Sequence, residues 1–275
     1  LRLDEIGRTG HDAGCAVDVE NCFDDVDNVA TLLRMFNLVP DGMDVAPFLD
    51  EAKQQLHLEA DYSHEAQAIR QFHARVATDE RFVIPGIVAE LCGTDVLAMD
   101  FLDGQPIESL ADSPQELRNR VATDLLDLAL REVYDWGLVQ TDPNFANYLF
   151  EPNSGRVQLL DFGATRVYSA EHVRYLRSLL GACVDGDEDA IEAAATGLGY
   201  LGDNDPPGYR DSILKLLWTA TEPARHEGDY SFGESTLAPR MSDLIVEMRM
   251  QQRFSRLPPM DILFLHRKLS GLYLL

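Results

Sequence analysis

Three polar residues near the middle of the chain have types and spacing that suit magnesium-dependent phosphoryl transfer. Asp142 and Asn147 are five residues apart, and Asp161 follows after the turn "EPNSG" as the first residue of an Asp-Phe-Gly tripeptide. Phosphoryl transfer needs a carboxylate near the attacking oxygen and hard oxygen ligands for magnesium. The order and spacing therefore predict that Asp142 orients the acceptor or takes its proton, and that Asn147 and Asp161 hold Mg2+. The competing interpretation is that all three are ordinary polar loop residues.

The composition limits the classes of protein and partner. The chain has 275 residues, of which 45% are apolar and 25% charged, which is typical of a globular protein long enough for one large domain or two lobes. Its net charge of −24 disfavours binding to nucleic acid. The four cysteines form no CxxC pair, so a zinc site and a disulfide framework are not expected. Without a signal peptide or a long apolar run, we expect a cytoplasmic location with no transmembrane segment.

Apolar periodicity in the first part of the chain predicts helices followed by a small sheet. Helical stripes cover residues 25–38 and about 46–76. The β-rich runs "FVIP", "IVAEL" and "VLAMDFL" follow, broken by Pro85 and Gly93, and they predict strands with a hairpin-like turn. Asp103 and the glycine after it are expected to end this sheet.

The second part of the chain predicts a capped helix, the polar motif and then helices to the end. Ser113, Pro114 and Glu116 have the pattern of a capping box with proline at the first helical position, and Gly137 is suited to the C-terminal stop. The stretches "GLVQTDPNFANYLF" and "RVQLLDFG" each indicate a short strand or loop that ends on a polar residue. From Ala170 onward the pattern is helical, so the fold class is α+β.

Beyond its spacing, the motif lies among stretches that resemble the UbiB/AarF-type atypical kinases, protein-kinase-like proteins associated with ubiquinone biosynthesis. These stretches are "LEADYSHEA", "VLAMDFLDG", "QTDPNFANYLF", "LLDFGATR" and "LHRKLSG", and the likeness runs from about Asp25 to the last residue. The resemblance implies a protein-kinase-like two-lobed fold. In this division residues 1–102 form a partial N-lobe with a small antiparallel sheet, and residues 103–275 form a helical C-lobe with the catalytic and metal loops.

The resemblance assigns the same roles to the motif that its spacing suggests. Residues 140–144 reproduce the Gln-Thr-Asp-Pro-Asn that stands in this family where ordinary kinases carry His-Arg-Asp. Asp142 corresponds to the catalytic-loop aspartate, and Asn147 and Asp161 correspond to the magnesium ligands. ATP and Mg2+ are the implied cofactors.

Two further groups of nucleotide-binding residues are implied by the resemblance alone. Glu59 and Asp61 match the family's Glu-x-Asp motif, whose glutamate is positioned to pair with the nucleotide-binding lysine. Met99, Asp100 and Leu102 stand where a kinase hinge would face adenine. From the residues alone, the acids would be a solvated helix face and the hinge an edge strand that runs into a turn.

The lysine that kinases use to hold the ATP phosphates has no counterpart at the implied position. The family's spacing places it near Asp12, and no lysine precedes Lys53. The alanine-rich nucleotide loop and Lys-x-Gly-Gln motif would lie further upstream. We therefore expect either a fragment with a truncated N-lobe or a degenerate member of the family, which leaves catalysis itself an open question.

The implied function is that of a Mg-dependent ATPase or phosphotransferase that supports isoprenoid-quinone biosynthesis. Its implied partners are a nucleotide and a lipid-soluble quinone precursor or quinone-biosynthesis proteins, with peripheral membrane contact. One alternative is a catalytically impaired pseudokinase that acts as a nucleotide-binding scaffold. Another is a small-molecule phosphotransferase, which usually keeps a histidine before the catalytic aspartate, where this chain has Gln140 and Thr141.

Overall fold

The structure is a computed structural model that describes residues 61–250 and 258–273. Its α-helices in chain order are α1 (Tyr62–Val76), α2 (Gln115–Arg131), α3 (Ala170–Asp185), α4 (Glu188–Gly197), α5 (Pro207–Ala220), α6 (Glu222–Arg225), α7 (Leu237–Met250) and α8 (Met260–Tyr273). Its strands are β1 (Phe82–Val83), β2 (Gln105–Pro106), β3 (Leu138–Gln140), β4 (Tyr148–Glu151), β5 (Arg156–Leu159) and β6 (Thr165–Val167). Short 3-10 helices cover Ala89–Leu91, Ile107–Asp112 and Phe145–Asn147, and a π-helical turn covers Glu132–Trp136.

Two small sheets bring the segments of the polar motif together. The larger sheet has the order β1-β5-β4-β2, with β1 parallel to β5 and the other neighbours antiparallel. Strands β3 and β6 form a separate antiparallel ribbon in which Gln140 lies opposite Thr165. Because Tyr148 pairs with Leu159 at one end of the β4–β5 hairpin, the residues just before β4 and just after β5 are neighbours.

Among the described residues, the apolar side chains form two buried clusters. One surrounds the larger sheet and joins it to α1 and α2, and it includes Phe72, Leu125 and Phe162. The other lies among the C-terminal helices and includes Cys183 and Tyr209. The motif therefore lies beside the cluster that surrounds the larger sheet, and the later helices pack mainly around the other cluster. None of the helices in the described ranges combines the length and apolar character that a membrane span requires.

The predicted helix pattern is confirmed for the part of it that the structure describes, with one error. The C-terminal part of the predicted helix 46–76 is α1, whereas the predicted helix 25–38 lies outside the described residues. The predicted N-cap at Ser113 is wrong: α2 begins at Gln115 after Pro114, and no side chain caps it. Gly137 does end this helical segment, in a left-handed conformation with φ of 57° that favours glycine.

The strand pattern after α1 is only partly confirmed. An antiparallel bridge between Ile87 and Met99 and a hydrogen bond from Gly93 N to Val96 O form the expected hairpin-like turn. However, the predicted strand "IVAEL" ends in the 3-10 helix Ala89–Leu91, because the short loop turns back on itself there. The expectation that the sheet ends at Asp103 is also wrong, since β2 follows it and pairs with β4.

Candidate active site

The loop that carries Asp142 and Asn147 joins β3 to β4 and is tied to the Asp-Phe-Gly loop. Thr141 is fully buried, and both its backbone nitrogen and its Oγ1 donate to the carbonyl of Ala164, at 3.1 and 2.8 Å. Leu160 N donates to the carbonyl of Asn147 at 3.0 Å. These contacts fix residues of both loops side by side although they are separated in sequence.

Asp142 and Asn147 are in direct contact. The Nδ2 of Asn147 donates to Asp142 Oδ2 at 3.1 Å, and Arg267 of α8 donates to Asp142 Oδ1 at 2.8 Å. Asn147 is buried, whereas the side chains of Asp142 and Arg267 are partly open to solvent. Asp142 is thus held from both sides but can still be reached from outside.

Asp161 lies on the open side of the second loop, and the residue after it anchors that loop in the core. Its Oδ1 accepts from Gly163 N at 2.8 Å, and the residue is exposed to solvent. Phe162 is only 2% exposed and packs against Phe72 of α1, with ring centroids 4.7 Å apart. The packing of this ring explains why an aromatic residue follows the aspartate, because the buried ring fixes the backbone that presents the carboxylate.

A second carboxylate, which sequence reasoning did not single out as a site residue, faces the same loop. Glu65 of α1 accepts a hydrogen bond from Phe162 N at 3.2 Å. Burial and the negative charge of Asp161 raise the pKa of Glu65 to about 7. Within the described part of the chain, no basic side chain forms an ion pair with Asp161 or Glu65. The two carboxylates therefore create a local excess of negative charge.

This charge and the donor set fit a divalent cation. Asp161 and Asn147 offer oxygen ligands of the kind that Mg2+ prefers, and a bound cation would offset the repulsion that raises the pKa of Glu65. A cluster of three or more His, Cys, Asp or Glu side chains with metal-binding geometry is not found in the described ranges. The site thus resembles one in which protein oxygens are few and waters or phosphates complete the coordination.

A buried ion pair lies behind the catalytic loop, and it was missed at the sequence level. Lys268 Nζ of α8 lies 3.5 Å from Oε2 of Glu132, and the two side chains are 3% and 2% exposed. Burial acts to lower the pKa of Lys268, but the interactions with Glu132 and Tyr148 together outweigh it, so the pKa is raised. Both residues line a small cavity together with Gln140, Asn147, Tyr148 and Asp161.

The predicted hinge residues lie in a separate stretch that leads toward the sheet. Met99 forms the bridge with Ile87, and Asp100 is exposed, with its backbone nitrogen donating to Gly86 O at 2.9 Å and its Oδ2 accepting from Gly86 N at 3.1 Å. Leu102 is partly buried and precedes β2, which pairs with β4. The hinge segment is thus connected, through β2 and β4, to the strand that starts beside Asn147.

Asp61 has a clear local role in the structure. It is the N-cap of α1, and its Oδ1 accepts from Ser63 N at 2.9 Å and from Ser63 Oγ at 2.5 Å. The hydrogen bonds from Ser63 lower the pKa of Asp61. Its predicted role toward a nucleotide stays a prediction, and Glu59, Lys53 and Asp12 lie outside the described residues.

The Asp142–Asn147 loop, the adjacent Asp-Phe-Gly loop and the mixed helix and sheet framework define a kinase-like class of protein. Sequence comparison narrows this class, because the profile of the ABC1 atypical kinase-like domain matches residues 18–195. The chain therefore belongs to the ABC1 atypical kinase-like family. The predicted family is confirmed, and the family implies nucleotide binding with a metal.

Curated relatives and a solved structure agree with this assignment. The chain is 34% identical to the atypical kinase COQ8B, mitochondrial, of Rattus norvegicus, over 93% of this chain and 48% of that protein. It is 30% identical to the atypical kinase COQ8, mitochondrial, of Saccharomyces cerevisiae, over 93% of this chain and 51% of that protein. The chain thus spans about half the length of these relatives. The fold is similar to that of Rv3197 from Mycobacterium tuberculosis, solved in complex with erythromycin, with a TM-score of 0.62, 18% identity and coverage of 93% of this chain and 64% of that one.

Proposed function

We propose that this chain is the ATP- and Mg2+-binding part of an atypical kinase or ATPase that supports isoprenoid-quinone (ubiquinone) biosynthesis. The observation that carries the proposal is the convergence of Asp142, Asn147 and Asp161 on one partly open site, with Asn147 hydrogen-bonded to Asp142. Family membership supports the same function, because the matched relatives are named as atypical kinases. A small-molecule phosphotransferase is not favoured by these relatives.

Each residue of the site has a distinct proposed role. Asp161 and Asn147 hold Mg2+, which when bound neutralises charge on the transferring phosphoryl group. Asp142 orients the acceptor hydroxyl or water and takes its proton, and Arg267 holds this carboxylate in place through its 2.8 Å contact. Phe162 keeps water away from the rear of the Asp161 loop because its ring fills the core there.

The nucleotide base and the remaining assignments extend the same proposal. The backbone of Asp100 and Leu102 contacts adenine, and Met99 lines its pocket. Asp61 and Glu59 act on the phosphate side. The chain divides into a partial N-lobe, residues 1–102, and a helical C-lobe, residues 103–275. The acceptor side faces a lipid-soluble quinone precursor or a quinone-biosynthesis protein at a membrane periphery.

Thermal and denaturant unfolding with MgATP tests the site assignment. A ligand that binds only the folded protein stabilises it by about 2.7 kcal/mol when its concentration is roughly 100 times Kd. We expect the unaltered chain to show such a magnesium-dependent gain with ATP, and Asp161→Ala to lose it, because the principal metal ligand is gone. Asp142→Asn leaves the metal ligand Asp161 in place, so this variant should retain most of the stabilisation by MgATP.

A matched control separates this effect from loss of charge. Asp203→Ala removes an exposed aspartate from the loop before α5, which belongs to neither loop of the site, and should bind MgATP like the unaltered chain. An undiminished MgATP response in Asp161→Ala would reject the metal assignment. Equal losses in Asp161→Ala and Asp142→Asn would reject the division of roles. No response in the unaltered chain would contradict the proposal that this chain binds MgATP.

A further inference from the structure

The buried Glu132–Lys268 ion pair makes hydrogen bonds to both ends of the catalytic loop. Glu132 Oε2 accepts from the backbone nitrogen of Gln140 at 3.0 Å, two residues before Asp142. Lys268 Nζ donates to the hydroxyl of Tyr148 at 3.3 Å, and Tyr148 directly follows Asn147. One ion pair thus connects the residue where the loop leaves β3 with the residue where it enters β4.

Helix α8 lies against this loop or its ends at Arg267, Lys268 and Gly271. Of these three residues, Lys268 is the buried one. Arg267 reaches Asp142 from the solvent side, and Lys268 reaches under the loop to Glu132. A Cβ added to Gly271 would collide with the ring of Pro143, so the helix backbone itself lies against the loop. The loop is therefore backed by α8 along its length.

Global stability is a poor explanation for a pair buried this deeply. Removing two charges from water costs free energy that their attraction often fails to recover, and apolar replacements of a whole buried pair are often neutral or stabilising. What apolar side chains cannot replace is the set of directed hydrogen bonds to Gln140 N and to the Tyr148 hydroxyl. The specific consequence of the pair is the position of the loop between these two points.

We infer that Glu132 and Lys268 are positioning residues that set the spacing between Asp142 and Asn147. They act through the backbone at Gln140 and the side chain of Tyr148. The inference deepens the proposed function, because it rests on Asp142 and Asn147 being the working residues of the site.

A graded pair of double variants tests this inference by amide hydrogen exchange on the full chain. Glu132→Gln with Lys268→Met removes both charges but keeps an oxygen that can accept from Gln140 N, so only the Tyr148 end should loosen. Glu132→Leu with Lys268→Met removes both hydrogen bonds, so both ends should loosen. We expect amide exchange at the loosened ends to accelerate at least about tenfold, since each opening there no longer breaks the anchoring bond. Amides of α4 should be unchanged.

The matched control breaks another ion pair of the same helix. Asp261→Asn removes the negative charge from the ion pair between Asp261 of α8 and Arg166 of β6, whose atoms lie 3.0 Å apart and which does not involve the catalytic loop. Exchange at Gln140 and Tyr148 should stay within about twofold of the unaltered chain in this variant.

Affinity for Mn2+ alone, measured by electron paramagnetic resonance, gives a second result that a merely structural role would not change. We expect Glu132→Leu with Lys268→Met to bind Mn2+ about tenfold more weakly and Asp261→Asn to bind it normally, since only the former displaces Asn147. If the unaltered chain bound no Mn2+, the proposed function would fail, and the exchange experiment would still decide the positioning role.

Two outcomes overturn the inference. Unchanged exchange at Gln140 and Tyr148 in a folded double variant would show that the loop holds its position without the pair. Equal acceleration in the loop and in α4 would show that the pair stabilises the whole fold. If the leucine variant did not fold, the same criteria would apply to the Tyr148 end of the glutamine variant.

Discussion

Glu65 gives the structure a pH dependence whose sign and size follow from its surroundings. Burial and the charge of Asp161 raise its pKa from 4.5 to about 7 in the folded protein. The folded state therefore binds more protons than the unfolded state between these values. The stability that this group contributes is present below pH 4.5 and is lost as the pH rises through 7.

The size of the effect is set by the accessible pH range. The sequence pI is about 4.5, so unfolding is best measured above pH 5.5, where the chain is well charged. Glu65 binds more protons in the folded than in the unfolded state, and this difference integrated from about pH 5.5 to 8.5 is about 1.5. At about 1.36 kcal/mol per unit, the free energy of unfolding falls by about 2 kcal/mol over this range. Because Glu65 is only partly buried, solvent screening reduces this to about 1–2 kcal/mol.

Urea unfolding of Glu65→Gln and of the unaltered chain, without metal, measures this difference. Glutamine does not titrate, so the variant should gain about 1–2 kcal/mol on the unaltered chain as the pH rises from 5.5 to 8.5. Taking the difference between the two proteins cancels the titration of all other groups. Glu108→Gln, on an exposed side chain, controls for the loss of one negative charge. A difference that stays constant with pH, or that favours the unaltered chain at pH 8.5, would refute the reasoning.

Two stability predictions concern single side chains. Phe162→Ala should destabilise the fold by about 3–5 kcal/mol, because it empties a fully buried ring site, whereas Phe101→Ala, at 82% exposure, should change the melting temperature little. A neutral melting shift for Phe162→Ala would show that the ring is not part of the core. Gly137→Ala should cost about 2–4 kcal/mol, from a left-handed backbone and a Cβ 2.9 Å from Val173 Cγ2, while Gly228→Ala, also left-handed but with open space around it, should cost about 1–2 kcal/mol. Equal costs in chemical denaturation would mean that the contact with Val173 relaxes freely.

The sequence predicts those parts of the site in which a residue's role follows from its type and from the elements next to it in the chain. Asp142 and Asp161 can be picked out because each comes two residues after a short strand, and Asn147 because it directly precedes one. Strands that pair in a hairpin must bring their ends together. Gly137 is predictable for a similar reason, since few residues other than glycine adopt a left-handed helix end.

The predictions fail where several local sequence signals compete, or where a residue's contact partner is distant in the sequence. Ser113 has the residue type of an N-cap, but Pro114 has a non-helical ψ of 143°, so the helix starts at Gln115. The contact between Glu65 and the backbone of Phe162 depends on how α1 packs against the sheet, which no short-range pattern encodes.

Lys268 shows what composition could have revealed. The sequence contains only three lysines, so an arginine-rich chain has kept a lysine at a place where burial is nearly complete. The two acceptors, Glu132 Oε2 and the Tyr148 hydroxyl, belong to different elements and are reached by one nitrogen atom, at 3.5 and 3.3 Å. An ammonium group has three donors on a single small atom and suits such a site, whereas the planar guanidinium of arginine spreads its donors over a fork and needs more room. The rare lysine is therefore explained by the narrow space between α8 and the loop, which only the folded chain defines.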